Sequence, residues 1–148
     1  MAQRTKDNLN MKTDYMVIGR VRNSENIQRL VGGIEAKGYS CYNFLHKPAT
    51  PDTPDLPWEE QMKMLESHPD FWNDPVHQDH FETDMNGLRN AKTIVMLLPV
   101  GMAAHMEAGV SFGLNKKMVL IGEVEKPETL YLMFEERYPN IESFLDSI

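Results

Sequence analysis

Three short apolar runs limit what this chain can fold into: "YMVIG" at 15–19, "TIVMLL" at 93–98 and "KMVLIG" at 117–122. None alternates polar with apolar residues, as a strand with one wet face would. Bounded by turn residues, such runs read as strands covered on both faces. Between them lie segments with apolar residues at helical spacing. Ile27, Leu30, Val31 and Ile34 form one stripe within 23–38, and Gly38 is placed to end that helix. Further helices are predicted over 76–91 and 102–113, and a second strand over "YSCYNFL" at 39–45. The last segment, from Pro127, predicts one or two closing helices.

Strands alternating with helices imply a mainly parallel sheet, joined by right-handed crossovers and carrying helices on both faces. The fold class is therefore α/β. A length of 148 residues suits one core, so residues 14–148 are expected to form a single Rossmann-like or flavodoxin-like domain. The polar residues 1–13 read as a flexible N-terminal tail, in which Met11 is an alternative start. Residues 46–76 interrupt the pattern with four prolines in "HKPATPDTPDLPWEE" and a short helix in "PWEEQMKMLESH". A connection this long in a small domain is usually functional or disordered. Its two tryptophans favour a lid or an interface, with Trp58, Phe71 or Trp72 able to stack on a base.

A formal net charge of −7 argues against wrapping a nucleic acid polymer, which demands a basic face. No apolar run approaches the roughly 20 residues that span a bilayer. The N-terminus lacks the apolar core of a secretory signal, and the lone Cys41 has no internal partner. Together these point to the cytoplasm.

In parallel sheets of this kind, ligands bind beyond the carboxyl ends of the strands. Three features fall there by counting. The first is the turn "GRVRN" at 19–23. Gly19 permits close approach of a ligand, and Arg20 and Arg22 put positive charge beside a helix start. The second is Asp84, which a helical wheel places between Leu88 and Ala91, in an apolar arc that also holds Phe81. It lies roughly 12–14 Å back along its helix from the strand that follows, hence near the carboxyl edge. The third is Glu107, in the second turn of its helix. There, small neighbours leave room for a ligand and the helix dipole favours the carboxylate form. On this reading Ala103, Met106 and Val110 form the packing stripe, while Ala104, Glu107, Ala108 and Ser111 share another side.

The stretches "VIGRVRN" (17–23), "FETDMNGLRNAKTIVMLL" (81–98) and "HMEAGVSFGLNKKMVLI" (105–121) resemble the nucleoside 2-deoxyribosyltransferase family, including its 2'-deoxynucleoside 5'-monophosphate N-glycosidase branch. The resemblance implies that Glu107 is a nucleophile attacking C1' of the sugar, and that Asp84 is its acidic partner. It also implies a substrate-binding turn at Gly19 and Arg22, with Arg22 fitting a 5'-phosphate; Arg20 joins them as the second charge of that turn. In the loop before the nucleophile only Gly101 of the family's pattern is left and His105 is added, both candidate substrate contacts, and Met102 and Met106 stand as candidates to line a base pocket. It implies a homo-oligomer acting on a nucleoside or nucleotide, with no metal and no organic cofactor. Two departures stand out. Lys92 occupies a position where the family commonly has an acid, and "PVGMAAHME" replaces a Ser/Gly-rich loop.

Rival readings are weaker. His68, Asp70, Asp74, His77, Asp79 and His80 suggest metal ligands, yet match no established spacing. The eleven methionines read mainly as core filling. A phosphoacceptor domain would need acids where Gly19 and Arg20 stand. The alternative from another class is a non-catalytic nucleotide-sensing or protein-interaction module on the same fold.

Overall fold

The computed structural model describes residues 11–148. Five parallel strands run in the order β2-β1-β3-β4-β5: β1 Thr13–Ile18, β2 Cys41–Tyr42, β3 Ala91–Leu97, β4 Lys117–Ile121 and β5 Glu136–Tyr138. This is the flavodoxin-like strand order, with its switch point between β1 and β3. The expected α/β class and parallel sheet are therefore present.

Residues in register alternate between the two faces. Val17, Val95 and Val119 are aligned across the three central strands. They pack against Ile27, Leu30, Val31 and Ile34 of α1 (Ser24–Ala36) and Ile141 and Phe144 of α5 (Ile141–Asp146). One position on, Ile18, Met96 and Leu120 are aligned and face the other way. Their partners include Leu88 of α3 (Pro75–Asn90) and Ala104 and Ala108 of α4 (Met102–Gly113). Both faces are dry, which is why the central strands lack a polar alternation.

Two expectations at the sheet edges fail. The strand foreseen over 39–45 shrinks to Cys41–Tyr42, because the Asn43 side chain accepts a hydrogen bond from the Leu45 amide and turns the chain into a 3-10 helix. The closing segment is not purely helical. A 3-10 turn at Thr129–Met133 leads into β5, whose Glu136 pairs with Lys117 of β4 at 2.8 Å. Three residues are too few to show a strand period. The predicted tail lies outside the described residues except for 11–13, and Thr13 already belongs to β1.

The 46–76 segment is ordered around α2 (Trp58–Glu66). Its organiser is Gln61, the one buried residue of that helix. Gln61 accepts from the Thr50 amide at 3.1 Å and donates to the Pro54 and Leu56 carbonyls at 3.3 and 2.7 Å. A single amide side chain thus satisfies three backbone groups of a proline-rich loop that has no ladder of its own. Asp74, also buried, caps α3 by accepting from the Val76 and His77 amides.

Gly87 lets α3 sit close to the sheet. A Cβ there would lie 2.9 Å from the Met16 sulfur and 3.1 Å from the Tyr42 ring. Gly87→Ala should therefore destabilise the protein by about 1–3 kcal/mol through overpacking, read as a lower urea midpoint at unchanged slope. An unaltered midpoint would mean that α3 relaxes away from β1 without strain.

Candidate active site

A cavity of about 330 Å³ opens at the carboxyl edge of the sheet. The turn after β1 supplies Gly19, Arg20 and Arg22, and α4 supplies Gly101 at its N-cap, Met102 and Glu107. Asp84 enters from α3. Seven of the nine positions singled out in the sequence thus line one space. Met106 does not, and neither does His105. In the neutral ring its Nδ1–H donates to the Gly101 carbonyl at 2.8 Å, leaving Nε2 to accept from the Tyr131 hydroxyl at 2.9 Å. His105 braces the start of α4 instead.

The opposite wall comes from the 46–76 segment, where Ala49, Trp58, Met62 and Leu65 give an apolar surface and Lys47 a charge. Phe44 extends that surface, and His80, one helical turn before Asp84, completes it. Sequence reading missed Lys47, Phe44 and His80 as site residues. Of the three aromatics proposed for stacking, Trp58 lines the cavity, whereas Phe71 and Trp72 lie outside it and Trp72 is 85% exposed. In the suspected metal cluster one ring nitrogen of His77 bonds the Leu65 carbonyl at 2.8 Å and one of His80 that of Ala49 at 2.9 Å, and among the described residues no group of three His, Cys, Asp or Glu side chains is placed to hold a metal ion.

Helix α4 packs the other way round from the expected stripe. Ala104, Ala108 and Ser111 are buried, while Met102 and Met106 are 80% and 66% exposed. Small residues let the helix lie close to the strands and carry Glu107 into the cavity beside Ala103 and Ala104. Phe81 likewise points outward from α3. The methionines divide accordingly: Met16, Met96 and Met118 fill the core, and Met64, Met102 and Met106 do not.

The electrostatics of the two acids correct a second expectation. The helix dipole was expected to keep Glu107 ionised, yet burial, reinforced by the charge of Asp84, pushes its carboxyl up to about 8. Burial also raises Asp84, to about 6, with His80, His46 and Lys47 opposing the rise. Desolvation outweighs a dipole worth a few tenths of a kcal/mol to about 1. Tyr42 lies near both: its phenol is raised first by burial, then by the charges of Asp84 and Glu107, and its buried hydroxyl has no hydrogen-bond partner among the described residues. The cationic rim is looser. Arg22 reaches Glu59 at 4.0 Å with both side chains largely exposed, so that pair holds the arginine only weakly.

The class defined so far is a flavodoxin-like α/β domain with two desolvated acids at its ligand edge. A solved structure shares this fold: the CMP N-glycosidase BcmB of Clostridium botulinum, with a TM-score of 0.54 and 14% identity, over 90% of this chain and 96% of that one. No protein-family model matches the sequence, and no curated protein matches it.

Because the folded state holds a proton on Glu107 that the unfolded chain releases, Glu107 costs stability as pH rises from its ordinary value of 4.5 toward about 8. Glu107→Gln should therefore raise Tm, with a gain that grows across that window and levels off above it. A gain independent of pH would remove the buried-acid account. In Asp84→Asn, with the neighbouring charge gone, carboxyl ¹³C NMR should show Glu107 titrating at lower pH than in wild type.

Proposed function

We propose that the protein cleaves the N-glycosidic bond of a nucleoside or nucleoside 5'-monophosphate, with Glu107 as nucleophile and Asp84 as proton carrier. The observation that carries this reading is the placement of two desolvated carboxyls in one cavity, the charge of one raising the other. As the C1'–N bond breaks, positive charge builds at C1' and the bond's electron pair leaves with the base. A carboxylate beside C1' stabilises that charge and forms the glycosyl ester.

The pair carries one proton between about 6 and 8. In the free protein Glu107 holds it. Charge developing at C1' draws the ionised state onto Glu107 and leaves the proton on Asp84, which passes it to the departing base. Water then attacks C1', the ester C–O bond breaks, Glu107 is freed as a carboxylate and Asp84 takes the water's proton. A free base in place of water would give transfer. Arg20 and Arg22, at the mouth beside the first helix, suit a 5'-phosphate, and the wall of Trp58, Met62 and Leu65 suits the base face. In this scheme the 46–76 segment acts as the site's cover.

The protein is further read as a homo-oligomer that uses the outward stripe of α4, where Met102 and Met106 stand exposed one turn apart, as its contact with a second copy. Met106→Glu should then shift wild-type oligomers toward monomer in sedimentation velocity, and a monomeric wild type would refute that contact.

The direct test is base release from ribo- and deoxyribonucleosides and their 5'-monophosphates, followed by chromatography with and without a second free base. Wild type should release or exchange base, and Glu107→Ala should lose roughly a thousandfold or more of that rate. The log of kcat/KM against pH should be a bell with limbs near the two acid values, about 6 and about 8. The acid limb marks loss of the carboxylate, and the alkaline limb loss of the shared proton. Ligand binding without turnover in either form would instead make this a nucleotide-sensing module.

A further inference from the structure

His80 holds a position that the acid pair does not explain. It lies four residues before Asp84 on α3, so the two side chains share one helix face, and both line the cavity. Beside it stand Ala49, Trp58, Met62 and Leu65, the apolar wall that it completes, whereas the arginines sit at the turn after β1. A nucleoside whose C1' meets Glu107 and whose 5' end meets the arginines would place its base beside His80.

The ring is anchored at one nitrogen only. Its Nε2 meets the Ala49 carbonyl at 2.9 Å, and a carbonyl can only accept, so Nε2 carries the hydrogen. The neutral imidazole then offers Nδ1 as an acceptor, whereas the protonated ring, the form whose charge opposes the rise of Asp84, offers two donors; base selection therefore belongs to the neutral form. No described residue donates a hydrogen bond to it. The nearby ammonium of Lys47 is engaged with Asp79 and Thr83, at 3.0 and 3.1 Å. The base wall thus offers a fixed acceptor next to apolar side chains.

We infer that His80 selects the base, its Nδ1 accepting a hydrogen bond from an exocyclic amino group, so that the site prefers amino-bearing bases (cytosine or adenine) to their keto counterparts (uracil or hypoxanthine). This inference rests on the proposed glycosidic cleavage. The keto analogue presents an oxygen where the site needs a donor, leaving two acceptors facing each other in a partly desolvated space. A site built around one polar partner discriminates more sharply than an apolar pocket does.

The test compares kcat/KM for two pairs, cytidine against uridine and adenosine against inosine 5'-monophosphates, in wild type and two variants. His80→Gln can still donate to the Ala49 carbonyl but offers nothing near the Nδ1 position. His80→Asn places its amide near Nδ1 and gives up the anchor. Wild type should favour the amino member of at least one pair by roughly tenfold or more. His80→Gln should bring that ratio to within about threefold, while His80→Asn keeps more of the preference. Equal ratios in wild type and His80→Gln, or a wild-type preference for keto bases, would overturn the inference while leaving the glycosidase reading intact. Absence of turnover on every substrate would instead overturn the glycosidase reading, and this inference with it.

Discussion

Drawing Glu107 and Asp84 partly out of water is the constraint on which the rest of the site depends. An isolated buried carboxylate is costly, and proteins respond by moving its pKa or supplying partners. Here the response is chiefly the first: both acids are raised, and Asp84 adds its charge to the burden on Glu107. That state requires a wall which keeps water out. The sheet and α3 supply one side. The other is a proline-rich loop with little secondary structure of its own, which Gln61 fastens through three hydrogen bonds. The wall that this segment gives the cavity thus depends on one neutral amide.

Close approach of the helices is the second requirement, and small residues meet it on both. Gly87 on α3 admits the Met16 sulfur and the Tyr42 ring, and Ala104 and Ala108 on α4 pack onto the strands. Larger groups at these points would lift the helices, and the acids with them, toward solvent. The same choice explains the methionines. With the small side of α4 turned inward, its bulky side faces out, leaving Met102 and Met106 uncovered in a single chain.

How much of this could be read beforehand follows from where periodicity exists. The central strands are dry on both faces, so their apolar runs announced a parallel sheet, and counting 1.5 Å per residue put Asp84 at the correct edge. Helix α4 is apolar or small almost all round, so two of its faces fit a core equally well by hydrophobicity, and the bulkier face is the wrong one. Volume, rather than hydrophobicity, decided the matter. Lys47, Phe44 and His80 escaped notice for a different reason. Lys47 and Phe44 come from irregular chain that carries no period, and His80 was grouped with its histidine neighbours as a ligand rather than placed one turn from Asp84. The edge strands were misjudged because two or three residues cannot display a pattern, and their pairing is fixed by contacts such as Lys117 with Glu136.

A chain with a net charge of −7 is poorly suited to an anionic ligand, and two acids at the heart of the cavity make the difficulty worse. The shared proton eases it on the proposed reading. Between about 6 and 8 the pair bears one negative charge rather than two, set against Arg20, Arg22 and Lys47 around the same space. The proton removes one negative charge from a cavity that Glu66 also lines and where Arg22 and Lys47 already meet Glu59 and Asp79, and local charge is what a ligand feels within the roughly 8 Å screening length of physiological salt. Holding Glu107 protonated until positive charge appears at C1' therefore serves two ends. It lowers repulsion while the substrate binds, and it reserves the carboxylate's full attraction for the moment of bond breaking, which is where stabilisation raises a rate.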